Sequence, residues 1–127
     1  MGAFAGRFEH TEDTTRFPNG HRHVVRLAGA PVSLATFQPG WRWSNDVRPL
    51  VGTDRCPFHH VGYVLAGALH VESNDGTTKD LRAGDLYEIE PGHDAWVAGD
   101  ESCVLLDWGR HVRESTQPVA LTTGGSR

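Results

Sequence analysis

The sequence predicts an all-β protein with one domain, built from short strands as a barrel or sandwich. Turn-forming residues, mainly glycine, proline, asparagine and aspartate, recur at short intervals along the chain. The runs between them are too short for helices and are rich in β-branched and aromatic residues, and no long helical period competes with them. Short strands at this spacing are typical of an all-β fold, and 127 residues fit one domain.

Six strands are predicted in chain order, each from an apolar run bounded by turn residues. They cover residues 32–37, 61–65, 69–73, 86–89, 95–98 and 103–108. After the third of them, Asn74-Asp75-Gly76 predicts a tight hairpin, because these residue types tolerate the positive φ that such a turn demands.

The two ends of the chain are predicted to behave differently from the barrel. Residues 1–20 form an N-terminal arm with three phenylalanines that lies across the barrel or exchanges with a partner subunit, residues 21–112 form the barrel, and residues 113–127 form a flexible tail. A homodimer is expected, because two-fold pairs are the commonest oligomers and a barrel with exposed edge strands gains by covering them.

Composition argues against two classes of partner. The formal net charge is -4 and the isoelectric point is about 6.0, and the basic residues are scattered, so we expect no nucleic-acid partner. No apolar run approaches the ~20 residues that span a bilayer, and no signal peptide is recognised, so we expect no membrane partner and a cytoplasmic location. Cys56 and Cys103 are accordingly expected to stay reduced.

Two consecutive motifs lie between Cys56 and Trp96. The first runs through two adjacent histidines to Tyr-Val-Leu-Ala-Gly at 63–67, and the second joins Gly-Asp at 84–85 to Pro-Gly-His at 91–93. Together they resemble the motifs of the cupin superfamily, and the resemblance extends over about residues 30–108. It implies a single-domain cupin-type β-barrel, a double-stranded β-helix or jelly roll with a pocket, as in small bacterial cupins.

The metal-binding pattern of that family is largely replaced here. The family has two histidines one residue apart, then a glutamate, then a histidine in the second motif. In this sequence Asp54 and Cys56 fall at the two histidine positions, His60 falls at the glutamate position, and Ala95 replaces the last histidine. His93, two residues earlier, lies in a predicted turn and could approach the same point.

Cys56, His60 and His93 are therefore the candidate metal ligands. A thiolate with two imidazoles suits zinc better than other divalent transition metals, and it lacks the His and carboxylate set that an iron dioxygenase needs. A metal-loaded and a metal-free pocket both stay open, and the sequence favours the metal-free one. In that case His60 is the candidate catalytic residue, as a general acid or base.

Aromatic residues supply the candidate walls of the pocket. Trp41 and Trp43 share one face of an extended segment, and we add Tyr63 and Trp96 from the motif region. Flat aromatic walls favour a small organic, aromatic ligand. The alternative is that the tryptophans fill the barrel.

The resemblance thus implies a small-molecule-binding cupin; if the protein is an enzyme, we expect a lyase, isomerase or cyclase that acts on a small organic substrate, aromatic or otherwise, in the barrel pocket. Two alternatives stay open: a non-catalytic module that binds a metal or a ligand, and a structural protein that forms oligomers. The sequence does not decide whether the protein is an enzyme.

Overall fold

A computed structural model describes residues 2–110 and residue 112, and the predicted tail 113–127 lies outside them. The described residues form nine strands in two antiparallel sheets. In chain order the strands are β1 (Thr14–Phe17), β2 (Gly20–Leu27), β3 (Ala30–Phe37), β4 (His60–Ala66), β5 (Ala68–Ser73), β6 (Thr78–Arg82), β7 (Leu86–Ile89), β8 (His93–Val97) and β9 (Cys103–Asp107). One sheet has the order β1-β2-β3-β9-β4-β7 and the other β6-β5-β8.

The helical segments are short and lie beside the sheets. A 3-10 turn covers Phe8–His10, α1 covers Trp43–Asp46, and α2 covers Arg48–Val51. The second helix ends where Gly52 adopts φ 88°, a left-handed conformation that glycine adopts without strain. In the part of the chain that the structure describes, no helix is long and apolar enough to cross a membrane.

The predicted fold class is confirmed, and each of the six predicted strands overlaps an observed one. The Asn74-Asp75-Gly76 hairpin is also confirmed between β5 and β6, with φ 88° at Gly76. Three strands were not predicted. β1, β2 and β6 are rich in polar residues, and β2 and β6 each bury a single side chain, so they lack the apolar alternation that marks a half-buried strand.

Part of the segment predicted as an N-terminal arm belongs to the larger sheet. Residues 14–17 form β1, which pairs antiparallel with β2 from Thr14↔His23 to Phe17↔Gly20. Homodimerisation through the arm stays a prediction.

The core lies between the two sheets and is built by alternation along the strands. On β9, for example, Cys103, Leu105 and Asp107 are buried, while the residues between them are half-buried on the other face. The larger sheet contributes both apolar and polar side chains to this interior. Several residues of the core therefore also line the interior cavity.

Backbone hydrogen bonds attach the irregular segment between β3 and β4 to β8. The Cys56 N–H donates to the His93 carbonyl at 2.8 Å, and the Gly92 N–H donates to the Cys56 carbonyl at 2.8 Å. The Val97 N–H donates to the Trp41 carbonyl at 3.1 Å. This pairing brings Cys56 beside His93, although 37 positions separate them in the sequence.

Gly62 occupies a crowded position in the middle of the larger sheet. It is paired with Tyr87 on one side and with Asp107 on the other. A Cβ at Gly62 would collide with the Leu106 carbonyl oxygen and would lie 2.5 Å from the Tyr87 hydroxyl. The absence of a side chain therefore lets the Tyr87 ring lie across β4 and reach Asp107.

We expect Gly62→Ala to lower the free energy of unfolding by about 2–3 kcal/mol, because the added methyl group must displace backbone or the Tyr87 ring. The midpoint of urea unfolding should fall with an unchanged slope. Gly2→Ala is the matched control, since a Cβ there meets nothing within 4 Å. Equal midpoints for the two variants would contradict the crowding at Gly62.

Candidate functional site

A cavity of about 280 Å³ opens between the two sheets. Its surface is mostly apolar, and the Phe37 and Trp41 rings stack at 3.9 Å between centroids with an interplanar angle of 23°. The lining residues come from both sheets, from α1 and α2, and from the segment before β4; they are Thr15, Phe17, Arg22, Ala35, Phe37, Trp41, Trp43, Val47, Leu50, Val51, Cys56, Phe58, His60, Leu69, Tyr87, Ile89, His93, Ala95, Leu105 and Asp107.

Cys56, His60 and His93 come together in the wall of this cavity. Each offers one donor atom, and these three atoms lie within 4.8 Å of one another. The Cys56 Sγ and His60 Nε2 atoms are 3.5 Å apart, and the two imidazole rings meet edge to face with centroids 5.2 Å apart. His60 opens β4 and His93 opens β8, so the cluster joins the two sheets.

Hydrogen bonds fix the orientation of both imidazole rings. The His60 Nδ1 lies 3.0 Å from Asp107 Oδ2, and the His93 Nδ1 donates to the Glu90 carbonyl at 2.8 Å. A carboxylate or carbonyl partner holds the proton on Nδ1 and leaves the lone pair on Nε2. In both rings Nε2 is therefore the atom available as a metal ligand.

Asp107 is the buried acceptor that organises this side of the cavity. Its Oδ2 also accepts from the Tyr87 hydroxyl at 3.3 Å, and its Oδ1 accepts from the Gly109 N–H at 3.1 Å. Burial raises the pKa of Tyr87, and the Asp107 charge raises it further. Tyr87 therefore remains a protonated donor to the carboxylate.

In the absence of a metal, burial keeps the Cys56 thiol and the His93 imidazole uncharged. Burial raises the pKa of the Cys56 thiol to about 12, and the negative charges of Asp107 and Asp94 add to this effect. Burial and the neighbouring His60 lower the pKa of His93 to about 4. A bound cation would reverse the effect on the thiol, because metal coordination favours the thiolate.

The donor set fits a divalent metal of the zinc type. Zinc–sulfur bonds of about 2.3 Å and zinc–nitrogen bonds of about 2.0 Å in tetrahedral geometry separate the two ligand atoms by about 3.5 Å. The Cys56 Sγ and His60 Nε2 atoms are 3.5 Å apart. Three protein ligands and one position toward a cavity are typical of catalytic zinc. The three residues could thus hold a metal ion, and the preference of the sequence for a metal-free pocket stays a prediction.

The predicted site residues fall into two groups. Trp41 and Trp43 line the cavity together with the three candidate ligands. Tyr63 and Trp96 do not line the cavity. Side chains alternate between the two faces of a strand, and the residues on either side of Tyr63 and of Trp96 face the interior. Tyr63 faces outward between Leu106 and Leu86, and the Trp96 ring lies outside against Arg42 at 4.2 Å and His70 at 4.5 Å.

Asp54, which the family pattern placed at a ligand position, is exposed and lies outside the cluster. The described chain between residues 52 and 59 is not a regular strand, since Pro57 interrupts it, so the two-residue periodicity does not carry back from His60 to Asp54. His93 is the first residue of β8 rather than part of a turn.

Sequence reasoning missed two charged residues of the cavity, Asp107 and Arg22. A signal existed for Asp107, because it shares the alternation of Cys103 and Leu105 and so places a carboxylate on an otherwise apolar strand face. Arg22 gave no such signal, because β2 carries polar side chains on both faces, histidines on one and arginines on the other.

Comparison with known proteins identifies the fold. Residues 52–109 match the family described as the cupin domain. A protein with a double-stranded β-helix domain from Klebsiella pneumoniae is 20% identical, with a TM-score of 0.51, and the match covers 71% of this chain and 75% of that one. No curated protein matches the sequence.

Two further structures are similar. KdgF from Halomonas sp. is 26% identical with a TM-score of 0.56, and the match covers 84% of this chain and 91% of that one. Oxalate decarboxylase from Bacillus subtilis, a protein with Mn(II) centres, is 21% identical with a TM-score of 0.55. That match covers 80% of this chain and 28% of the decarboxylase.

We expect His93→Asn to flatten the pH dependence of stability. The pKa of His93 is lowered to about 4 in the fold from about 6.5 in an unfolded chain, so the unfolded state binds more protons between these values. The stability that depends on neutral His93 is present above pH 6.5 and is lost as the pH falls toward 4, by up to roughly 3 kcal/mol.

The asparagine keeps an N–H donor for the Glu90 carbonyl without titrating. The measurement is urea unfolding of the metal-free protein between pH 7 and 4.5, with exposed His10→Asn as the control. Parallel pH profiles for wild type and His93→Asn would show that His93 does not contribute to acid sensitivity.

Proposed function

Because this chain has the cupin fold, we propose that it binds a small organic molecule at a divalent transition-metal centre held by Cys56, His60 and His93. The observation that carries the proposal is the convergence of three donor atoms whose supporting hydrogen bonds are already in place. Zinc suits one thiolate and two imidazoles best.

Each part of the cavity has a role in this proposal. A bound zinc ion would supply a Lewis acid that faces the cavity. Asp107 holds the His60 ring in the tautomer that a metal ligand needs, and the Glu90 carbonyl does the same for His93. The stacked Phe37 and Trp41 rings offer a flat apolar surface to an organic ligand and exclude water from it.

One of the similar proteins has metal centres, but the metal proposed for this chain is argued from the chain's own donor atoms. The Mn(II) of the Bacillus subtilis oxalate decarboxylase belongs to that protein, and the shared fold provides only the barrel. The ligand set of this chain includes a thiolate, which is a softer donor than manganese prefers. We therefore propose zinc rather than manganese for this chain.

Catalysis of the lyase or isomerase type is the second candidate function. Two contacts in a row support it. The Asp107 Oδ2 atom lies 3.0 Å from His60 Nδ1, and the His60 Nε2 atom lies 3.5 Å from Cys56 Sγ. In a metal-free protein this arrangement lets His60 accept a proton at Nε2 while Asp107 stabilises the imidazolium. Turnover would separate an enzyme from a binding module.

We place this protein in a reducing compartment such as the cytoplasm. Cys56 and Cys103 are both buried free thiols, and Cys56 must stay reduced to act as a ligand.

We expect untagged protein to contain about one zinc per chain and Cys56→Ser to lower zinc affinity at least about 100-fold, because a neutral hydroxyl replaces a thiolate. The measurement is elemental mass spectrometry with a competitive chelator titration. Cys103→Ser is the matched control, since Cys103 is also a buried free thiol but lies outside the cluster. Equal zinc affinities for the two variants would exclude the Cys56 site.

Asp107→Asn should lower zinc affinity by about 10-fold to 100-fold, the usual effect of removing a carboxylate that supports a ligating histidine. Glu88→Gln is the control, because Glu88 contacts His59 Nε2 at 2.8 Å on the exposed side of the barrel. The same chelator titration measures both variants. If Glu88→Gln weakens zinc binding as much as Asp107→Asn, the supporting role of Asp107 is wrong.

A further inference from the structure

The polar groups of the cavity lining are concentrated in one cluster. Apart from Thr15 and Arg22, which are paired on β1 and β2, the described lining residues with hydroxyl, thiol, imidazole or charged groups are the three candidate ligands together with Tyr87 and Asp107. These five lie together, because Asp107 accepts from Tyr87 and contacts His60. A ligand in the cavity therefore meets most of its polar partners at one place.

This cluster lies at the buried end of the cavity, and the other end reaches the surface. Cys56 and His93 are 2% and 3% exposed, whereas Leu50 in α2 lines the same cavity and is 63% exposed. Five partly buried apolar side chains also line the cavity and pack against the core; they are Phe17, Val47, Val51, Phe58 and Ile89. We call these five residues and Leu50 the apolar rim.

The spacing of residues along α2 explains why its side of the rim is apolar. Val47 is the N-cap of α2, and Leu50 and Val51 follow at three and four positions, so these side chains share one face of the helical turn. A single exposed leucine is ordinary on a protein surface. Leu50 differs, because it continues a face whose other two members line the cavity.

Aromatic rings continue from the rim to the inner wall. The Phe17 and Phe37 ring centroids are 6.0 Å apart, and the Phe37 and Trp41 centroids are 3.9 Å apart. Phe17 is partly buried and Trp41 is buried, so the rings lead from the rim into the interior. An apolar ligand can contact them along this whole length.

In an apolar cavity a polar group without a partner is unfavourable, whereas an apolar group gains free energy by leaving water. Building on the metal centre proposed above, we infer that the ligand is an amphiphile, with one oxygen-donor or nitrogen-donor head group at the metal and an arylalkyl body that passes the apolar rim at Leu50. A ligand with polar groups along its whole length, such as a sugar, would leave most of them without partners.

The volume of the cavity determines how much of the body it encloses. A cavity of about 150 Å³ is large enough for benzene, so about 280 Å³ holds a ring, the head group and a few further carbon atoms. Additional carbon atoms lie between the side chains of the rim. Each methylene group that leaves water there tightens binding by up to about fourfold, and a methylene group beyond the rim adds nothing.

The test measures how affinity depends on chain length, using the full chain with and without zinc. The probes are benzohydroxamate and its 4-alkyl derivatives from methyl to hexyl, which place the oxygen donors and the alkyl group at opposite ends of the ring. Calorimetry and tryptophan fluorescence follow binding, since Trp41 and Trp43 line the cavity. On zinc-loaded wild-type protein we expect affinity to rise by about twofold to fourfold per methylene group and then to level off.

Leu50→Asp should remove most of this gain for the longer probes and leave the affinity for unsubstituted benzohydroxamate unchanged, because the ring and head group do not reach the rim. Leu86→Asp is the matched control, since Leu86 is a 73% exposed leucine that does not line the cavity. If either variant does not fold, as circular dichroism would show, Leu50→Ala and Leu86→Ala make the same comparison.

Two results would overturn the inference. One is an affinity that stays constant or falls as the alkyl group lengthens, and the other is an equal gain per methylene group in Leu50→Asp and Leu86→Asp. In the second case, a lower molecular mass of Leu50→Asp in size-exclusion chromatography would assign the rim to a contact between copies of this chain.

A zinc titration distinguishes this failure from failure of the metal centre. If zinc binds and tightens binding of benzohydroxamate but chain length has no effect, only the present inference is wrong. If zinc does not bind, the metal centre is wrong, and the same probes on the metal-free protein still test the apolar rim through the gain per methylene group.

Discussion

The buried carboxylate of Asp107 is the interaction on which the rest of the site depends. Its two oxygens accept from the Tyr87 hydroxyl and the Gly109 N–H and contact His60 Nδ1, groups that come from three different parts of the chain. A buried carboxylate without such partners would be strongly unfavourable. The same contacts that satisfy it also set the tautomer of His60 and keep Tyr87 protonated, so stability and site geometry have a common origin.

Much of the fold was predictable because its signals are local. Turn residues such as Asn74-Asp75-Gly76 and alternation in runs such as 103–107 act over a few positions, and the structure follows them. The faces of Tyr63 and Trp96 were not predictable, because a shift of one residue in a two-residue period moves a side chain from the interior to the exterior. Their outward orientation is fixed by pairing with strands distant in sequence.

The residues of the candidate metal cluster were also only partly predictable from the sequence. The sequence identified Cys56, His60 and His93 as candidate ligands. It also placed Asp54 at a ligand position, but that placement relied on a strand periodicity that Pro57 interrupts. What brings Cys56 beside His93 is a pair of backbone hydrogen bonds across a long separation in the chain. Such a contact leaves no side-chain pattern, so it could be found only in three dimensions.

The position of the three candidate ligands has a consequence for exchange of molecules with the solvent. His60 opens a strand of the larger sheet, and His93 opens a strand of the smaller sheet, with Cys56 attached beside it. A metal held by all three would cross-link the two sheets, and separation of the sheets would then require breaking a coordination bond. The residence time of a molecule inside the barrel would therefore depend on metal occupancy, even if that molecule never touched the metal.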